Sequence, residues 1–390
     1  MKNLMFCLQA LVVEGEGFYN DSSSSMEVMF VKNNTEVEVM SDIKLPMIRP
    51  SVHGYLCNAY PLSIVMQHKQ SEAWFYSNYI QLICAGNFPE GKFFSFYTSN
   101  LPWYDFFMSC PLITYQKINQ RFLEKYMGGI ISFICDSIDQ NQYIHLYVDE
   151  SYIAHKKAYK KYALPHEMLI FGYNKETLKF YVSGYNSDVI FGEYEVGFEE
   201  FLVAFNNCDK TKNREYVCLL SYNPEHNYHF DLKLIIRSLK ELRFSLNSSY
   251  HYRSMSTPSN WIFGLSIYDH IVQYLSNQVS TLREKIDIRI FHTMWEHKRV
   301  MLDRLDYLKE HHYLDDADEL IKIYSEIESD SKILRNLAII YNKNENATSI
   351  TSIIEKLKKI KSIEENALSD FISKLESVEI DEKLLSHYYL

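Results

Sequence analysis

The sequence predicts an α+β protein in three parts: an N-terminal β-hairpin extension over residues 1–44, a mixed helix-and-strand domain over 45–230 and a helical domain over 231–390. Three observations carry this division. Short β-prone runs broken by turn-forming residues fill much of the first two-thirds of the chain. Past about residue 231 apolar residues recur at three and four spacing with charges between them. Only 12 Gly and 9 Pro in 390 residues argue against long linkers between these parts.

Taken in order, Met26 to Val31 and Thr35 to Met40 read as two strands turned at Lys32-Asn33-Asn34. Pro46 and Pro50 enforce an extended approach to a helix from Cys57 to about His68, in which Pro61 is tolerated because it falls in the first turn. Trp74 to Thr98 is aromatic and β-prone, broken by Gly86-Asn87 and Pro89-Glu90-Gly91, which predicts short strands. Residues 114–127 have helical spacing in Ile113, Ile118, Phe122, Leu123 and Tyr126, closed by Gly128-Gly129. Ile130 to Ile134 and Tyr143 to Val148 follow as apolar strands, then a hairpin from His166 to Tyr173 and Leu178 to Tyr185, turned at Asn174-Lys175-Glu176-Thr177. Six helices are expected after that: Leu232 to Phe244, Ile267 to Gln278, Ile286 to Leu308, Asp316 to Ser329, Ser331 to Tyr341 and Ile350 to Leu375. No fixed-period repeat supports a solenoid.

Composition excludes several function classes. A net charge of −10 removes the clustered Lys and Arg that a phosphate backbone requires, so no nucleic-acid partner is expected. Seven cysteines, at 7, 57, 84, 110, 135, 208 and 218, are odd in number and lack CxxC spacing, which fits neither a disulfide framework nor a zinc site and points to a reducing compartment. Met1 to Val13 is apolar but has no small-residue cleavage pattern, and no run reaches the roughly 18 apolar residues of a membrane span. A cytoplasmic protein without a membrane partner is the expectation. There is no GxGxxG, GKS/T or GxSxG motif, so nucleotide-dependent and serine-hydrolase readings have no anchor, and no bound cofactor or metal is expected.

The chemistry suggested by the residues centres on a pair. Cys57 opens a predicted helix, where unpaired N–H groups stabilise a thiolate, and His166 opens a downstream strand from which an imidazole can take the thiol proton. Together they predict a nucleophile and base for acyl transfer. A hairpin register in which facing positions sum to about 351 sets His166 opposite Tyr185, so Asn186 and Asp188 are the candidates for orienting the ring. The other six cysteines read as inert buried side chains. Of the remaining groups, His292, Glu296 and Arg299 share a face of a predicted helix and read as interhelical ion pairing or a cleft wall. Asp149 and Glu150 read as a cap or a contact for a substrate amine, Lys156-Lys157 and Lys160-Lys161 as a solvated loop or a dock for an acidic carrier domain, and His311-His312 as a helix end. Glu225 to His229 offers two imidazoles without a third ligand.

The run His166-Glu167-Met168-Leu169-Ile170-Phe171-Gly172-Tyr173, with Phe180 to Tyr185 after the turn, resembles the His-strand-Gly-Tyr signature of papain-like and C39-like cysteine peptidases. Val148 to Tyr152 and Ala158-Tyr159 are similar, more narrowly, to cysteine-protease homologues of natural-product gene clusters, which include the butirosin-type acyltransferase and the amide-forming enzyme of polythioamide biosynthesis. The resemblance covers roughly residues 45–205 and implies a papain-like core, with Cys57 as nucleophile and His166 as base. It further implies an acyl-S-enzyme that receives its acyl group from the phosphopantetheine of an acyl carrier protein and delivers it to a small amine, in antibiotic biosynthesis. A peptidase or thioesterase would use the same residues, and a catalytically silent interaction protein would keep the fold. Two departures stand out: Ser51 occupies the place of the oxyanion-hole glutamine, and the orienting position by papain-like spacing falls near Ser183.

Overall fold

The computed structural model describes residues 41–378 apart from 86–92, 99–102, 127–128, 212–213, 282–284 and 345–346. The two strands expected between Met26 and Met40 lie outside the described residues.

The chain opens with β1 (Asp42–Lys44), α1 (Leu56–Val65), α2 (Ser71–Asn78), β2 (Leu82–Cys84) and β3 (Phe94–Phe96). A 3-10 segment, Trp103–Ser109, leads to β4 (Ile113–Asn119), α3 (Gln120–Tyr126), α4 (Ile130–Asp139) and β5 (Tyr143–Asp149). Then come β6 (Pro165–Asn174), β7 (Lys179–Tyr185), β8 (Phe191–Gly197), α5 (Phe198–Asn206) and β9 (Tyr216–Tyr222). The remainder holds α6 (Leu232–Phe244), β10 (Ile262–Phe263), α7 (Ile267–Thr281), α8 (Ile288–Glu310), α9 (Asp318–Asn344) and α10 (Ala347–Glu376). The fold is α+β, as the patterning predicts, with antiparallel sheets and a helical C-terminal region. No helix among the described residues is long and apolar enough to cross a membrane.

Four segments differ from the sequence reading. Residues 71–78 are helical because Trp74 and Phe75 are both buried, and packing against α6 and α8 outweighs the β preference of aromatic residues. Residues 113–119 form a strand paired with β9 along its whole length, and the helix begins only at Gln120. The apolar run at 130 is the start of a helix, not a strand: Phe133, Ile134, Ser137 and Ile138 are buried at helical spacing, and Gly129, at φ 119°, supplies the turn before it. The expected break between Ser329 and Ser331 is absent, since α9 runs through it with Asp330 paired to Lys356.

The larger sheet has the order β4-β9-β5-β6-β7-β8, and β1 pairs with the far end of β6. Gly172 permits that last pairing: a Cβ there would lie 2.3 Å from the Ile43 carbonyl oxygen. A bulge between Ile170 and Gly172 shifts the β6–β7 register, and pairing stops at Leu169 opposite Ser183. Beyond that point the strands part, and the Tyr60 hydroxyl of α1 lies 3.3 Å from the Glu167 carbonyl and 3.2 Å from that of Ser183. Helix α1 therefore covers the face of β5 and β6 that bears His145, Tyr147 and Glu167, while α4 and α5 cover the opposite face, where Phe180 meets Phe201 and Tyr173 bonds Asp139.

From Ser41 onward the chain is one compact unit, and the helical region builds directly on the smaller sheet, β10-β2-β3. Lys298 on α8 and Glu364 on α10 form an ion pair of 2.6 and 2.7 Å with both side chains fully buried. Tyr268 donates to the same carboxylate, and His297 accepts from Lys298 while donating to the Ile80 carbonyl. Buried Arg304 closes the end of α2 through the carbonyls of Tyr76 and Tyr79. Removing either partner of such a pair would leave a bare charge in the core, which is strongly destabilising.

Candidate functional site

Cys57 stands in the first turn of α1, as expected, but Pro61 falls one turn further in than the sequence reading allowed. Pro61 has no N–H to give to the Cys57 carbonyl, its i−4 acceptor, and both residues line a cavity of about 280 Å³. Its walls are aromatic. Trp74, Phe96 and Tyr97 come from the aromatic segment Trp74 to Thr98, and Trp261 comes from the region following α6. A second thiol, Cys110, also faces the cavity. Polar character is sparse and local: Asn58 donates to the Ser95 hydroxyl at 3.1 Å.

The thiol does not have the electrostatics the helix start predicts. Burial, then the negative charge of Glu167, push the Cys57 thiol well above its ordinary range, and these outweigh the N–H groups of α1. Glu167 belongs to a buried polar group that the sequence reading missed. Its carboxylate accepts from the Tyr147 hydroxyl at 3.3 Å and stands 3.8 Å from His145 Nε2, an ion-pair separation wider than a hydrogen bond. Burial works against protonating His145, but its interactions with cross-strand Cys218 and with Glu167 win and raise it. Burial likewise opposes ionisation of Glu167, and His145 again prevails and lowers it. Cys218 in turn lies 3.5 Å from the Tyr115 hydroxyl. Three strands thus assemble Cys218, His145 and Glu167, a link visible only once strand register is known.

His166 is not part of this group. Successive strand residues point to opposite faces, and the register of β6 turns Glu167 toward α1 and His166 away from it. The imidazole, 44% exposed, has its Nδ1 3.2 Å from Glu150, an ion-pair distance off line for a hydrogen bond. Glu150 is also 2.9 Å from buried Lys156. Burial raises the Glu150 carboxyl, but His166 and Lys156 together hold it low. The expected Cys57–His166 pair is therefore not assembled: no hydrogen bond joins them among the described residues.

The expected orienting residues are also corrected. The bulge and the end of β6–β7 pairing leave His166 opposite Val148 of β5 rather than Tyr185. Asn186 uses its side-chain oxygen on the N–H groups of Asp188 and Ile190, shaping the turn into β8, and Asp188 is exposed there. Glu150 takes the orienting place instead.

Other singled-out residues have structural partners. Asp149 caps the turn after β5 by accepting from Ser151 and Leu164. Of the four lysines, Lys157, Lys160 and Lys161 are exposed, but Lys156 is buried. His226 and His229 lie in the exposed loop after β9, and His311 and His312 are exposed at the end of α8. Cys84, Cys110, Cys135, Cys208 and Cys218 are buried, as expected, and Cys7 lies outside the described residues. His292, Glu296 and Arg299 meet the loop before α1 rather than another helix: Glu296 accepts from the backbone of His53 and Gly54, and Arg299 donates to the Ser51 carbonyl. Compared with known proteins, the chain matches no family model and no curated protein.

Proposed function

We propose that this protein is a cysteine acyltransferase that holds an acyl group on Cys57 inside the aromatic cavity, with Glu167 rather than His166 as the acceptor of the thiol proton. The observation that carries the reading is the position of Cys57: a thiol at a helix start, on the wall of an apolar cavity, with an ionised carboxylate acting on it. A cysteine helix laid on an antiparallel sheet is also what a papain-like core has, which supports the same chemistry.

In the first step Cys57 Sγ bonds to the carbonyl carbon of an acyl thioester, the donor's C–S bond breaks, and the Cys57 proton passes by way of Glu167 to the departing pantetheine thiol of a carrier protein. In the second, a small amine attacks the acyl-enzyme, the amide leaves and the amine proton returns to Cys57. Aromatic walls disfavour water at the acyl carbon, which favours transfer over hydrolysis.

Incubation with a series of acyl thioesters, followed by intact-mass analysis, tests this. One acyl adduct is expected, lost in Cys57→Ala and retained in Cys110→Ala. Amide formed on adding an amine supports transfer, whereas free acid alone identifies a thioesterase or peptidase. An adduct that survives Cys57→Ala overturns the assignment. A specific observation favours a second reading, a non-catalytic binding protein: the thiol is held protonated and lacks an imidazole partner. That reading requires no adduct with any thioester.

A further inference from the structure

The geometry points to a zinc-class divalent metal site formed by His53, His292 and Glu296. His292 and Glu296 are one turn apart on α8, and His53 lies in the loop four residues before Cys57. Glu296 Oε1 is 3.1 Å from His292 Nε2 and 3.4 Å from His53 Nδ1, and the two ring nitrogens are 3.4 Å apart. Ligands bound tetrahedrally at about 2.0–2.1 Å stand roughly 3.3–3.4 Å from one another, so these three atoms match one face of such a polyhedron.

The surroundings support this donor set. Glu296 is fully buried, and its Oε1 accepts the N–H groups of His53 at 2.7 Å and Gly54 at 3.0 Å, which aims the carboxylate as hydrogen-bonded metal ligands are aimed. The His53 ring stacks on Phe191 with centroids 5.5 Å apart and planes 6° apart. A further polar group lies beside the cluster. The Thr293 hydroxyl is fully buried and has no hydrogen-bond partner among the described residues. A Cβ at Gly54 would fall 2.9 Å from Glu296 Oε2, 3.0 Å from the His292 ring and 3.1 Å from that hydroxyl, so only glycine lets the loop that carries His53 approach α8 this closely.

Charge narrows the metal. A single carboxylate with Arg49 and Arg299 acting on His53 is a poor cage for Ca²⁺ or Mg²⁺, which call for several oxygen ligands, whereas two imidazoles and a carboxylate suit zinc. No cysteine takes part, so cysteine spacing could not reveal the site. Its three ligands come from sequence positions 239 and more residues apart, apart from the i, i+4 pair on α8.

The test uses the full chain, stripped with a chelator and titrated with Zn²⁺ and with Co²⁺ as an optical probe. One equivalent per chain and tetrahedral cobalt bands without thiolate charge transfer are expected. His292→Ala should weaken binding by about 100-fold or more, beyond the loss typical of an outer-shell change. His53→Ala should do the same, His166→Ala should leave affinity unchanged, and circular dichroism confirms that each variant folds. Binding that persists in both ligand variants, cobalt bands from thiolates, or no uptake above that of a surface site overturns the assignment.

Discussion

His166 and Glu167 are neighbours on β6 and share almost nothing else. One imidazole, partly in solvent, pairs with Glu150, which also holds Lys156; one carboxylate, beneath α1, gathers Tyr147, His145 and the field at Cys57. Parity on a strand, more than residue type, decides which of two ionisable groups meets the nucleophile candidate.

The largest expected contrast between these faces is in stability. Glu167→Gln leaves His145 without its counter-charge in a dry layer and should cost about 3–5 kcal/mol in urea unfolding, while His166→Gln, at a side chain 44% exposed, should cost no more than about 1 kcal/mol. Equal losses would erase the distinction. Next in size is the pH dependence. His145 is raised in the fold, so the native state binds more protons than the unfolded chain above the ordinary histidine range of about 6.5. Its contribution is complete below that value and falls away as pH rises through the raised value, a slope that Glu167→Gln should flatten and His166→Gln should preserve. The smallest effect is on reactivity. Alkylation of Cys57 by iodoacetamide should be slow at neutral pH and accelerate only beyond the normal thiol range; removing the Glu167 charge should bring that rise to lower pH, and changing His166 should not move it. A rise that follows His166 instead would restore the imidazole as the base.

Much of the scaffold was legible because it depends on local pattern. The helix carrying Cys57, the β6–β7 hairpin and α6, α7, α8 and α10 all follow from periodicity and turn residues. What stayed hidden depends on register and distance. One bulge beside Phe171 changes which residues of β6 and β7 face each other, and no spacing rule announces it. His145 and Cys218 meet only because β5 lies beside β9. Short apolar runs such as Ile130 to Ile134 fit helix and strand alike, and tertiary packing decides. His53 belongs with His292 and Glu296 through contact across 239 positions, so the i, i+4 pair alone could suggest a helix face but not its third member.

The Lys298–Glu364 pair sets an order of assembly. The ammonium is on α8 and its carboxylate partner among the described residues is on α10, so during synthesis the lysine lacks that counter-ion until the ribosome has released residue 364. A nascent chain stopped short of that point would have to leave α8 hydrated or enclose a bare cation. Enclosing Lys298 therefore waits for α10.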